Sequence, residues 1–151
     1  MDPLLAVDRS MGRLAKWLRL LGYDTVFDPG MGDREFLSLA EQGRILITRT
    51  RALFGKAGEA RMVEIVDGDP KVQLAETVKR LGLRIDRSKA FGRCIRCNVP
   101  VEPIERERAA NRVPDYVFET HQDFAHCPRC KRIYWRGSHQ NKGLAMLESV
   151  I

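Results

Sequence analysis

All four cysteines of this 151-residue chain fall into two Cys-x-x-Cys pairs, Cys94-Ile95-Arg96-Cys97 and Cys127-Pro128-Arg129-Cys130. Each pair can wrap one edge of a Zn²⁺ ion, and two pairs complete a tetrahedral four-thiolate site with no open position. The zinc such a set predicts is therefore structural. Two disulfides are the competing use of four thiols. Against them stand a cytosolic reading of the chain and a shortage of core, since roughly sixty residues of this composition do not fold unaided. His121, His126 and His139 are alternative ligands, with His126 beside Cys127 the best placed, but four cysteines at this spacing need no substitute. The 29 residues between Cys97 and Cys127 exceed ordinary ribbon spacing. They read as an excursion carrying residues 99–104, the polar run ERERAANR, and a return strand near 116–118.

Ahead of Phe91 the pattern is different. Leu4-Leu5-Ala6-Val7 is a short apolar run ending at Asp8, and Ser10 offers an N-cap to the helical stretch MGRLAKWLRLLG. At 3.6 residues per turn, Met11, Leu14, Ala15, Leu18 and Leu21 share one face, with Arg13, Lys16 and Arg19 on the other. Gly22 ends the helix. The unit recurs: Thr25-Val26-Phe27, a Pro-Gly turn, a helix that Asp33 can cap, Gly43, and the strand Ile45-Leu46-Ile47-Thr48. Residues 62–66 make a fourth strand, and Asp67-Gly68-Asp69-Pro70 leads into a helix with Leu74, Ala75, Val78 and Leu81 inward. Strands apolar on both faces and separated by helices predict an α/β fold, a parallel sheet with helices on both faces. The expected organisation is an α/β domain over 1–87, a polar linker Arg87-Ser88-Lys89, a zinc ribbon over 91–139, and a short C-terminal helix over 140–151 that packs on the body or mediates a protein contact or homo-oligomer.

Ligands of open α/β sheets bind beyond the carboxyl ends of the strands. Asp8 ends the first strand, residues 48–51 end the third, and Asp33 opens the helix between the second and third. Carboxylates gathered there repel one another, and Mg²⁺ or Mn²⁺ is the usual relief. A bound ion of that kind activates water and stabilises charge on a phosphodiester. Arg9, Arg13, Lys16 and Arg19, just past Asp8, are placed to meet phosphates. The plainer alternative makes Asp8 a turn cap, Asp33 an N-cap and the cations a solvated helix face.

The stretches VDRSMGRLAKWLRLLGYDT, then Asp33 opening a helix, then RILITRTRAL and QLAETVKRLGL resemble the PIN-like ribonuclease family named for the C-terminal domain of the mut-seven protein. The resemblance runs from about residue 4 to residue 140. It implies a PIN-like sheet, metal-dependent RNA cleavage, and Asp8 and Asp33 as acidic metal ligands. It also exposes a departure. The family pattern after the third strand is Thr-Arg-Asp-Arg, and here Thr50 takes the acidic position between Arg49 and Arg51. A neutral hydroxyl is a far weaker Mg²⁺ ligand than a carboxylate, so the resemblance implies reduced metal affinity unless Asp28, Glu35 or Asp67 substitutes.

Beyond the second cysteine pair, RIYWRGSH sets Tyr134 and Trp135 among Arg132 and Arg136. Aromatic faces beside guanidinium groups can stack on unpaired bases while the cations follow the backbone, or the rings can pack the ribbon against the first domain. A net charge of +6, about +4 with four thiolates on zinc, suits a polyanionic partner such as RNA. No apolar stretch approaches the roughly 18 residues that cross a bilayer, and Met1-Asp2-Pro3 lacks a basic signal start. The expected protein is thus cytoplasmic, with no membrane contact. Its functions rank as metal-dependent ribonuclease, RNA-binding protein without turnover, and zinc-ribbon adaptor. The last predicts no salt-dependent RNA affinity.

Overall fold

The computed structural model describes residues 1–58 and 61–151. In chain order the regular elements are β1 (Leu5–Val7), α1 (Gly12–Leu20), β2 (Thr25–Val26), α2 (Asp33–Ser38), β3 (Ile45–Thr48), β4 (Met62–Glu64), α3 (Pro70–Leu81), β5 (Glu102–Ile104), α4 (Asp115–Thr120), β6 (Phe124–His126), β7 (Ile133–Tyr134) and α5 (Ser138–Ser149).

The first four strands form a parallel sheet in the order β2-β1-β3-β4, with Leu5 opposite both Thr25 and Ile45 and Ile47 opposite Val63. Successive strand residues point to opposite faces. Leu5, Val7, Ile45, Ile47 and Val63 join one core with Leu14 and Leu18 of α1 and Leu74 and Val78 of α3. Ala6 and Leu46 turn the other way, against Phe36, Leu39 and Leu53. Helices therefore cover both faces, as the doubly apolar strands require. The Asp69 carboxylate accepts from the Lys71 N–H to cap α3, Pro70 occupies its first turn, and Gly82 closes it at a left-handed φ of 64°. Two expected caps move. Met11, not Ser10, precedes α1, and Gly32, not Asp33, precedes α2. Both polar side chains are thereby released for other partners.

The second sheet is antiparallel, β5-β6-β7, over a small core of Ala109, Val113, Val117, Phe124 and Ile133. Where a return strand was expected near 116–118, the chain forms α4. Pro114 fixes the entry to this helix and Asp115 sits in its first turn, a favourable place for an acid at a helix start. The returning strand is β6.

The two halves are fastened together. The Phe91 N–H donates to the Leu20 carbonyl at 2.8 Å, Ala90 is buried in the first core, and Lys89 pairs with Asp2 at 2.9 Å. The Arg87-Ser88-Lys89 stretch is a pinned turn. Leu144 and Leu147 of α5 join the first core, and Glu148 pairs with Arg87 at 2.6 Å, so this helix packs on the body. Among the described residues, no helix is long and apolar enough to cross a membrane.

Candidate catalytic rim and cysteine centre

Asp8 leaves β1 with its backbone N–H on the Ile47 carbonyl, 3.0 Å, and its side chain only 3% exposed. The carboxylate gathers the loops around it. One oxygen, Oδ1, accepts from the Ser10 N–H (2.8 Å) and hydroxyl (2.5 Å). The other, Oδ2, accepts from the Thr48 hydroxyl (2.5 Å), the Arg49 N–H (2.8 Å), the Thr50 hydroxyl (3.1 Å) and the Thr50 N–H (3.3 Å). Burial acts to raise the Asp8 pKa, but the donors from Ser10, Thr48 and Arg49 outweigh it and hold the group below the usual carboxylate range. A buried anion thus sits at the carboxyl end of the sheet, ionised and tied to the end of β3.

Asp33 opens α2. Its half-exposed carboxylate lies 3.9 Å from the guanidinium of Arg9, the residue after Asp8. Arg49 leans toward the end of β4, its Nε donating to the Val66 carbonyl at 3.3 Å, and Arg51 is exposed in the turn that follows. Arg13 and Lys16 are exposed on α1. Two of the three proposed substitutes for a third carboxylate are engaged in turns. Asp28 accepts from the Gly30 N–H and Asp67 from the Asp69 N–H, each holding its own turn. Glu35 stands exposed on α2. Among the described residues, the cysteines are the one group of three or more metal-ligating side chains brought into reach of a common ion.

Arg19 departs from the expected solvated stripe. It is 7% exposed, and its Nε donates to the Thr25 carbonyl at 2.8 Å while Nη1 donates to the Ile95 and Arg96 carbonyls at 3.0 and 3.3 Å. The first cysteine loop lies over this side of α1, and helical periodicity could not reveal a cover supplied from 76 residues away. Beside it, the Asn98 amide donates to Asp24 at 2.8 Å and accepts from the Thr25 N–H at 2.9 Å.

The four cysteine sulfurs lie within 4.8 Å of one another, Cys94 and Cys130 at 3.8 Å. Sulfurs about 2.3 Å from a tetrahedral zinc stand about 3.8 Å apart, so the set fits that ion. The two loops are built alike. Asn98 and Lys131, each just past the second cysteine of its pair, adopt left-handed φ of 60° and 66° and donate their N–H to the carbonyls of Cys94 and Cys127. Backbone N–H groups of Cys97 and Cys130 point at the Cys94 and Cys127 sulfurs, both at 3.4 Å. Tyr134, a candidate for stacking, donates its hydroxyl to Cys94 Sγ at 3.0 Å. Against the effect of burial, that bond and the loop N–H groups draw the Cys94 thiol down to about 6. His126 is buried and faces Glu102 at 3.7 Å.

A model of the Mut7-C RNAse domain family matches residues 3–147. The chain belongs to that family. No curated protein and no solved structure matches it. Within this Mut7-C domain, sequence reading missed Ser10 and Thr48 as partners of Asp8, and Asn98 as a bridge between the halves. The position of Asn98 after a Cys-x-x-Cys was a usable signal, since Asn tolerates left-handed backbone. For Ser10 the usable signal was the turn-cap reading of Asp8, since an Asp side chain commonly accepts from the backbone two residues on. Of the remaining ribbon residues, Arg132 is exposed, Trp135 is half-buried against the small core, and Arg136 donates to the Arg87 and Ala90 carbonyls at 3.0 and 2.7 Å.

Proposed function

We propose that this Mut7-C domain hydrolyses RNA phosphodiesters at the rim between β1, α2 and β3, with Mg²⁺ or Mn²⁺ held by Asp8 and Asp33. The observation that carries the reading is the buried Asp8, with six hydrogen-bond donors around it at the carboxyl end of β1, one residue from the Arg9 that pairs with Asp33. A divalent ion bound there supplies water activation and charge stabilisation. The chain's own residues do the rest. Low Asp8 pKa keeps the carboxylate charged at neutral pH. The hydroxyls of Ser10 and Thr50 can rotate, freeing carboxylate lone pairs and turning their own oxygens toward a cation. Arg9, Arg49 and Arg51 offer guanidinium donors to phosphate oxygens, the charge-assisted pairing that positions a backbone. Thr50 contributes a neutral oxygen where the family pattern has a carboxylate, so metal binding is weak and activity requires a high Mn²⁺ concentration. The cysteine set holds a structural Zn²⁺ that takes no part in the reaction.

A second reading, RNA binding without turnover, draws on one specific feature. Oδ2 of Asp8 already accepts four hydrogen bonds, and no acidic trio lies in mutual reach among the described residues.

Cleavage of end-labelled single-stranded RNA across a Mn²⁺ titration separates the two. The control is Asp33→Asn, because Asp33 is half-exposed, whereas an amide at buried Asp8 would face six donors. The hydrolase reading predicts cleavage that falls at least about 100-fold in Asp33→Asn, a loss of about 2.7 kcal/mol in transition-state stabilisation. Salt-sensitive binding with no cleavage selects the second reading. Cleavage unchanged in the variant identifies a contaminant.

A further inference from the structure

A cleft of about 780 Å³ lies in the ribbon half and uses neither the rim nor the cysteine sulfurs. Its volume falls in the range of ligand sites, about 300–1,000 Å³. Phe91, Trp135 and Tyr134 line it, the Tyr134 hydroxyl being already engaged with Cys94. Arg136 lines the same end, its guanidinium held by the Arg87 and Ala90 carbonyls and 5.8 Å from the Phe91 ring centroid. Gln122 and Asp123, both exposed, line it from the turn between α4 and β6. The cleft therefore combines aromatic faces, a fixed cation, and amide and carboxylate groups able to read a polar edge.

An aliphatic peptide segment would cover Gln122, Asp123 and Arg136 without pairing them, and desolvating unpaired polar groups is costly. A flat ring with hydrogen-bonding edges meets both kinds of surface. The chain from Cys127 to Gly137, which supplies Trp135 and Arg136, carries Arg129, Lys131, Arg132 and Arg136 and no carboxylate. Such a stretch suits phosphates on either side of the ring.

We infer that this cleft takes one or two unpaired nucleobases of the RNA strand, holding the strand by stacking while the rim acts elsewhere along it. The inference rests on the RNA reading above and adds a base-dependent, sequence-tolerant subsite to it, of the kind aromatic platforms provide. The ribbon thereby selects unstructured RNA over duplex, whose bases are unavailable for stacking.

The test uses zinc-loaded, full-length protein carrying Asp33→Asn to prevent turnover. Two fluorescent oligonucleotides of equal length are titrated, one of uridines and one of abasic ribose phosphates. The cleft predicts about 5- to 150-fold tighter binding of the base-bearing strand. Trp135→Ala should lose that factor for the uridine strand and leave abasic binding unchanged, with zinc content checking the fold. Gln122→Ala, on the exposed wall, provides a second variant and should weaken only the uridine strand. Equal affinity for the two strands, or variants that weaken both alike, overturns the cleft inference and leaves the RNA reading standing. Failure of both strands to bind overturns the two together.

Discussion

Arg19→Met tests whether the two halves depend on one buried cation. In the native chain the guanidinium makes two short bonds, to the Thr25 and Ile95 carbonyls at 2.8 and 3.0 Å, and longer ones to Arg96 and Phe27 at 3.3 and 3.5 Å. Hydrogen bonds from charged donors contribute about 1.5–3 kcal/mol each. Counting only the short pair, and allowing methionine to keep the packing of the arginine stem, the loss is about 3–6 kcal/mol. For a protein of this length that lowers Tm by about 6–24 °C. Because the Ile95 and Arg96 carbonyls lie inside the first cysteine loop, the variant should also surrender zinc faster to a colorimetric chelator. Arg19→Lys keeps the charge but reaches fewer carbonyls, so it should fall between. Arg13→Met, on the exposed side of the same helix, is the control and should change stability by less than about 0.5 kcal/mol. If Arg19→Met melts with Arg13→Met and releases zinc at the native rate, the brace is not at Arg19 and the coupling argument fails.

Thr50→Asp restores the acidic position beside Asp8. Two carboxylates in contact repel, so the variant should be less stable than the native protein without divalent ions, more responsive to Mn²⁺ in thermal melts, and at least about tenfold tighter for that ion. Calorimetric Mn²⁺ titration would show otherwise if affinity stayed level. Asp8 also sets a pH dependence. Its folded pKa lies below the ordinary aspartate value of 3.8, so its ionisation stabilises the fold fully above that value and loses this effect as pH falls through the lower folded one. Thr48→Val removes a donor and raises the folded pKa. The stability gap between native protein and variant, measured by urea unfolding, should be full at pH 6 and shrink below about pH 4; a gap constant across that range contradicts the assignment. Elemental analysis should find one zinc per native chain and none after Cys127→Ser, with loss of the β5-β6-β7 sheet by amide exchange.

The parallel sheet was readable because its strands are apolar on both faces, and a pattern such as Leu5-Ala6-Val7 just ahead of a helical stretch admits little else. The cysteine centre was readable because ligand spacing is local. What sequence hid were long-range contacts of polar side chains. Arg19 looks like any cation on the wet side of an amphipathic helix until the loop of Ile95 and Arg96 covers it. Ser10 looks like an N-cap until the helix starts at Gly12 and the hydroxyl turns back to Asp8. The short helix α4 was missed for a local reason: Val117 and Phe118 have strand-forming side chains, yet Pro114 and Asp115 start a helix just ahead of them. Thr50 was recognised as a departure from the family pattern, but its hydroxyl bond to the very carboxylate it was expected to assist needed coordinates.

The reading of the rim is tested most directly by locating Mn²⁺. Anomalous scattering from crystals soaked in Mn²⁺ should give a peak bounded by Asp8 and Asp33, with Asp33→Asn losing it. A saturating soak that leaves that rim without a peak, in crystals of protein that binds RNA, would contradict a metal-dependent nuclease and leave an RNA-binding protein built on a nuclease fold.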